Sequence, residues 1–345
     1  MKSLQTAEPL LIARRWCRRW LGATGLVCAL GAALSPAWAQ TAVAAADGRT
    51  LTEWLSRVHD ASRERNFTGT LVVSAAGRLG TSRIWHACDG VQQMEKIEVL
   101  TGAPRTIVRH NNEVITFVPE ARTARREVRA SLGVMPELLR TQEGRIADHY
   151  RLASVGSDRV AGYAADVLQI EPKDGLRYGY RVWAEKKTGL LLKLQTLDAQ
   201  QQVREQVAFT ELQLDAPVNM DRLKAQMKNT DGYQVESALP HKTSAQAQGW
   251  RMKQAVPGFV ELSCHTPSSK PKEAKPMQWV FSDGLASVSL FLEPFDSKRH
   301  GAPGVTASGA THALTRQLGA HWLTSMGEVP VATLEAFASS LERLR

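Results

Sequence analysis

The sequence predicts an α+β protein: one large antiparallel sheet with few covering helices, followed by a smaller α+β unit. Three observations predict it. Residues 178–214 alternate apolar and polar side chains, with Tyr178, Tyr180 and Val182 on one face and Arg177, Arg181 and Trp183 on the other. Leu190, Leu192 and Leu194, then Val203, Val207 and Phe209, repeat the pattern after Lys187-Thr-Gly and Asp198–Gln202 breaks. Period-2 alternation interrupted by turn residues is the signature of an antiparallel meander. Residues 67–119 hold further short strand-like runs without the spacing of a βαβ unit. At 231–249 the composition changes to Gly, Ser, Gln, Lys and Pro240 with no periodicity, which reads as a linker.

The 345 residues suffice for about two domains, and 43% apolar content supports a proper core. The first 39 residues stand apart. Arg14, Arg15, Arg18 and Arg19 precede an apolar run over 20–34 and an Ala37-Trp38-Ala39 cleavage pattern, which together read as a secretory signal peptide. The twin-arginine consensus is incomplete, and Val27 before Cys28 does not fit a lipoprotein signal. No later run is long enough for a membrane helix, so the mature chain is expected to be soluble and exported. Its net charge falls from +9 to about +5 without the leader. That excess suits an acidic partner or anionic headgroups; nucleic acid is not an expected partner of an exported protein.

In order, residues 50–65 predict a helix: Leu51, Trp54, Leu55 and Val58 share a face, and Thr50 with Glu53 forms a capping box. Five strands follow, over 67–74, 81–88, 92–100, 105–110 and 114–119, with Asp89-Gly90 and Asn111-Asn112 as turns. A basic stretch over 121–129 leads to a helix expected over 132–146, with Leu138, Leu139 and Ile146 as its apolar side. Strands over 150–155 and 165–171 join the meander and complete a first domain over 40–230. The unit at 250–345 should hold a strand after Phe259 and a hairpin about Ser282-Asp283-Gly284. A polar loop over 295–309, two strands at 311–317 and 322–327, and a final helix over 331–344 with Pro330 at its start should follow.

Chemistry-bearing motifs are sparse. Lys187-Thr-Gly189 and Ser282-Asp-Gly284 match fragments of penicillin-recognising enzymes, but S-x-x-K is missing and the order is reversed, so both read as turns. His86 with Cys88, and Cys264 with His265, are potential ligands without the spacing of a metal motif, and no cofactor is expected. Cys88 and Cys264 remain after the leader, and either one disulfide or two free buried thiols fits an oxidising compartment. Arg122, Arg125, Arg126 and Arg129, with Arg140 and Arg145 beyond, form the densest basic patch. It reads either as an anionic-headgroup site or as a strand edge protected by charge. A large sheet with two helices could leave an apolar cleft for an acyl chain or peptide. Phe67, Leu71, Val73, Ile97, Val99, Ile115 and Phe117 would line it; the alternative is ordinary core. No nucleophile, Walker or dinucleotide motif appears, so no enzyme activity is expected.

Four stretches also resemble a known family. They are Thr101-Gly-Ala-Pro-Arg-Thr-Ile-Val-Arg109 with Asn112-Glu-Val; Tyr150 to Gly156 through Arg159-Val-Ala-Gly, then Asp174-Gly-Leu-Arg-Tyr-Gly-Tyr-Arg-Val-Trp183; Phe281-Ser-Asp-Gly-Leu-Ala-Ser-Val-Ser289; and Gly327-Glu-Val-Pro330. In this order they resemble the RseB/MucB family of periplasmic regulators of the sigma-E envelope-stress response. The resemblance implies a half-barrel sheet like that of the lipoprotein carriers LolA and LolB, with a small α+β domain after a linker. It implies a partner, the periplasmic segment of an RseA/MucA-like anti-sigma factor, shielded from proteolysis until lipid or lipopolysaccharide displaces the regulator. It also implies self-association into a homo-oligomer. The alternative reading is a periplasmic lipid or lipoprotein carrier, for which the second domain is superfluous.

Overall fold

A computed structural model describes residues 48–128, 146–237, 240–267 and 277–344. The leader, Arg129, Arg140, Arg145 and nearly all of the helix expected over 132–146 lie outside them.

The first helix forms where its cap and apolar spacing dictate. α1 (Leu51–Glu64) starts at Thr50, whose hydroxyl accepts from the Glu53 amide at 3.2 Å while Glu53 accepts from the Thr50 amide at 2.8 Å. Six strands follow: β1 (Phe67–Ala75), β2 (Arg78–Cys88), β3 (Gln93–Val99), β4 (Arg105–His110), β5 (Glu113–Val118) and β6 (Thr123–Val128). After the short α2 (Ile146–His149) come β7 (Tyr150–Val160), β8 (Tyr163–Pro172), β9 (Gly179–Glu185), β10 (Leu191–Leu197) and β11 (Val203–Leu214). Then come α3 (Met220–Lys228) and β12 (Gln234–Ser237). The twelve strands form one sheet in the order β12-β6-β5-β4-β3-β2-β1-β11-β10-β9-β8-β7. Only the β12–β6 pair is parallel among them. The sheet is strongly curled: the Tyr163 hydroxyl on β8 donates to the Leu212 carbonyl on β11 at 3.3 Å, although β9 and β10 lie between those strands in the sheet.

A helix packs on each face. Leu51, Trp54, Leu55, Val58 and Ala61 of α1 lie against Leu71, Ile97, Val182, Leu194 and Phe209. Each fully buried large apolar side chain there contributes about 1.5–3 kcal/mol, more than helix propensity can supply. On the other face α3 sets Leu223 and Met227 on Met94, Val108, Ile115 and Phe117. This helix was not expected, though Asn219 caps it and Met220, Leu223 and Met227 have helical spacing.

The second sheet contains β13 (Pro240–Lys242), β15 (Val260–Pro267), β16 (Met277–Ser282), β17 (Ser287–Pro294), β18 (Gly304–Ser308), β19 (Thr311–Leu318) and β20 (His321–Gly327). Its order is β13-β15-β16-β17-β20-β19-β18, and β14 (Trp250–Met252) pairs separately with β21 (Leu341–Arg343). The stretch 231–249, expected as a linker, thus supplies an edge strand to each sheet. The polar loop expected over 295–309 also contains a strand, β18. α4 (Val331–Ser340) is shorter than the helix expected to run to the end. It buries Leu334 and Phe337, whose ring lies 5.0 Å from Phe281 and 5.4 Å from Phe259.

Candidate functional site

The two sheets meet at a buried polar junction. The turn between β16 and β17 forms because Asp283 Oδ1 accepts from the amides of Leu285 (2.9 Å) and Ala286 (2.7 Å), with Gly284 at φ +102°. Its other oxygen reaches into the first sheet. Oδ2 accepts from the Tyr150 hydroxyl at 2.9 Å and from Arg177 Nε at 2.6 Å. Arg177 also donates from Nη1 to Asp174 and from Nη2 to the Pro257 carbonyl at 2.5 Å. The Arg177 and Asp283 side chains are both 0% exposed, so neither charge has water as an alternative partner. Burial first, then nearby Tyr180 and the Asp283 carboxylate, hold the Tyr150 hydroxyl well above the usual phenol range, which keeps it a donor.

Gly258 makes this geometry possible. Its φ is +78°, and a Cβ there would lie 2.2 Å from Arg177 Nη2 and 2.5 Å from His149 Nε2. Gly258→Ala is expected to cost about 2 kcal/mol or more, from left-handed strain plus displacement of the guanidinium, read as a lowered urea midpoint.

Further contacts flank the ion pair. Thr333 Oγ1 donates to the Leu176 carbonyl at 2.5 Å. His312 Nδ1 lies 3.0 Å from the Val329 carbonyl, which can only accept, so the proton sits on Nδ1; the Tyr178 hydroxyl is 3.3 Å from the same nitrogen. Glu205 on β11 accepts from the Ala310 amide at 3.3 Å. The stretches carrying Tyr150, Asp174–Arg177, Asp283 and Val329 are far apart in sequence but converge on this one place.

Glu328 borders it. Burial first, then the charge of Glu205, push its carboxyl up to about 7 from 4.5. The folded state therefore holds a proton that the unfolded chain releases between pH 4.5 and about 7. The contribution of Glu328 to stability is therefore greatest below that window and falls as pH rises through it. The fall should be about 1–3 kcal/mol. Glu328→Gln should flatten it, as checked by urea unfolding at pH 5 and pH 8.

The residues expected to line a cleft are mostly packed core. Leu71 is 0%, Ile97 1% and Ile115 0% exposed. Phe67 and Phe117 are also buried, while Val73 and Val99 are half-buried. They do not share a face either. Register pairs Ile97 with Ile107 and Ile107 with Thr116, whereas Ile115 pairs with Val108. Phe67, Leu71, Val73, Ile97 and Val99 thus point toward α1, and Ile115 and Phe117 point toward α3. The Asn111-Asn112 turn sets an even residue opposite an odd one, which reverses the parity used to group them.

The basic patch is likewise divided. Arg122 is exposed at a turn with φ +48°. Arg125 pairs with Glu236 of β12 at 3.4 Å, and Arg126, its neighbour on β6, projects from the opposite face. β6 is flanked by β12, so it is not the sheet edge either. Cys88 and Cys264 are both free, one at the end of β2 and the other buried in β15, with no disulfide between them. Burial pushes the Cys264 thiol up to about 11.

Three cavities are notable. Two polar ones of about 800 and 620 Å³ lie along α1 and share Asp60, Glu64 and Cys88. An apolar one of about 460 Å³ lies wholly in the second unit, between Trp250, Met252, Phe259, Trp279, Phe281 and Phe337.

Comparison with known proteins places this architecture. Residues 50–227 match the model of the MucB/RseB N-terminal domain, and residues 244–342 match that of the MucB/RseB C-terminal domain. The chain belongs to the MucB/RseB family. Among its relatives, the sigma factor AlgU regulatory protein MucB of Pseudomonas aeruginosa is 32% identical over 87% of this chain and 93% of that protein. The sigma-E factor regulatory protein RseB of Haemophilus influenzae is 24% identical over 90% of this chain and 96% of its own length. The crystal structure of MucB in complex with MucA(peri) superposes on this MucB/RseB-family fold with a TM-score of 0.66. That match has 27% identity and covers 85% of this chain and 99% of that one. Relatives named as regulatory proteins agree with the scarcity of catalytic motifs in the sequence. No described helix is long and apolar enough to cross a membrane.

Proposed function

We propose that this protein is a periplasmic regulator that binds the periplasmic segment of an RseA/MucA-like anti-sigma factor, shields it from proteolysis, and lets go when lipid or lipopolysaccharide accumulates. The observation that carries this reading is the likeness, over most of the chain, to the MucB that forms a complex with MucA(peri). No catalytic step is involved. The mechanism is linkage: lipid and anti-sigma segment favour different arrangements of the protein, so each weakens the other by the same factor, typically about 5- to 150-fold. The junction of Tyr150, Arg177 and Asp283 is the element that would hold one arrangement. The apolar cavity beside Trp279, rather than the filled sheet, is where the acyl-chain part of the reading rests.

The test is a competition experiment. The mature chain is mixed with the periplasmic segment of the same organism's anti-sigma factor, with and without lipopolysaccharide or a lipidated peptide. Binding that weakens on adding lipid is the expected result, together with slower cleavage of the bound segment by its protease. Lipid binding with no affinity for the segment would replace this reading with that of a carrier.

A further inference from the structure

A second contact joins the two sheets besides the buried ion pair. The turn from β18 to β19 seats on the first sheet: Ala310 is 0% exposed, and its amide donates to Glu205 on β11 at 3.3 Å. The fit is close. Gly309 has φ +62°, and a Cβ there would lie 2.7 Å from Glu205 Oε2 and 2.8 Å from the Cβ of Ala75, the β1 residue paired with Glu205. Glu205 is thus committed as an acceptor at this seat.

Glu328 approaches from the second sheet, closely enough for its carboxyl to feel the Glu205 charge. Its backbone has no room to retreat. Gly327 before it pairs with Val288 on β17 and His312 on β19, and a Cβ on Gly327 would lie 2.2 Å from the Ser287 carbonyl. Val329 after it is 0% exposed, and its carbonyl accepts from His312 at 3.0 Å. The other titratable groups facing this loop are Tyr180 and Tyr178 from β9 and His312 from β19. The buried Tyr180 hydroxyl has no hydrogen-bond partner among the described residues. Arg177 acts on Tyr180 but is held by Asp283, and Arg204, next to Glu205, lies 4.0 Å from Asp198. Among these groups neither arginine is free to compensate a second carboxylate.

We infer that Glu328 and Glu205 form a proton-operated latch between the sheets: the turn at Gly309 and Ala310 stays seated while Glu328 carries a proton, and lifts from β11 when that proton is lost and two carboxylates oppose each other. The Tyr150, Arg177 and Asp283 junction holds throughout, so the change is local. Burial and Glu205 keep the Glu328 carboxyl at about 7 while the turn is seated. A raised carboxyl favours seating at low pH and opposes it as pH rises through that value. With Glu328 returned to its ordinary 4.5 in the lifted state, the equilibrium toward lifting rises by up to about 70-fold from pH 5 to pH 8. The latch goes beyond the regulator reading and does not rest on it.

The test uses the mature wild-type chain without a partner. The Ala310 amide is bonded to Glu205, so its hydrogen-exchange protection, read by NMR and corrected for intrinsic exchange, reports seating directly. Protection should fall by up to about 70-fold from pH 5 to pH 8. It should also stay well below that of the Leu290 amide on the central strand β17, where the side chain is 0% exposed and opening requires the whole domain. Glu328→Gln should make the Ala310 profile flat. Glu205→Gln keeps an acceptor for Ala310 but removes the charge, and should shrink the fall without abolishing it, since burial is the larger influence on Glu328. Protection at Ala310 that does not change with pH, a fall that persists in Glu328→Gln, or exchange at Ala310 as slow as at Leu290 at pH 8 overturns the inference. Each of these results leaves the regulator reading untouched, and a chain that binds no anti-sigma segment can still carry the latch.

Discussion

Arg177→Met is expected to lower the unfolding free energy by about 3–5 kcal/mol, measured by urea denaturation followed by tryptophan fluorescence. The size follows from what is left behind. Methionine fills much of the volume but strands the Asp283 carboxylate, which is 0% exposed and keeps only the Tyr150 hydroxyl and two turn amides as partners. Asp174 Oδ2 and the Pro257 carbonyl lose the Arg177 donor as well, while Asp174 Oδ1 keeps the Leu176 amide. Arg177→Lys should recover little of the loss, because an ammonium cannot reproduce three directed donor groups on a planar fork. Arg177→Met with Asp283→Asn should cost less than the sum of the two single changes, since removing both charges leaves no uncompensated ion. A single-mutant loss below about 1 kcal/mol would mean that water reaches the junction and that the pair is a surface contact. The same variant tests the link to function. If the junction sets the arrangement that the anti-sigma segment recognises, binding should fall even in conditions where the variant remains folded.

Leu71→Asp should be still more damaging, at more than about 4 kcal/mol, enough to unfold a domain of ordinary stability. Leu71 is 0% exposed between Phe209 and Ser82 on its neighbouring strands, in the core beneath α1. A carboxylate there has no partner and no water. Leu71→Ala, which creates a cavity without a charge, should cost about 2–5 kcal/mol. Circular dichroism melts decide the matter. A Leu71→Asp protein that melts like wild type but loses lipid binding would mean that Leu71 faces an open acyl-chain cleft, contrary to its packing.

Local signals determined a large part of this molecule. The capping box at Thr50 and Glu53 and the stripe from Leu51 to Val58 are spaced within one helix and produced α1 as written. Alternation and turn residues located most strands of both sheets, because period-2 burial is a property of a few consecutive residues. The motif stretches likewise pointed to the family that the comparisons support. Where single residues ended up was decided elsewhere. Whether Ile97 and Ile115 share a face depends on the register of every hairpin between them, and one two-residue turn reverses it. β18 and the strands in 231–249 lack any periodic signal because they are exposed edge strands held by neighbours rather than by burial. Asp283 is a competent turn residue in isolation. Only the tertiary structure brings Tyr150 and Arg177 to its second oxygen, across sequence separations of 133 and 106 residues, because a buried carboxylate must find its donors wherever the packed fold supplies them.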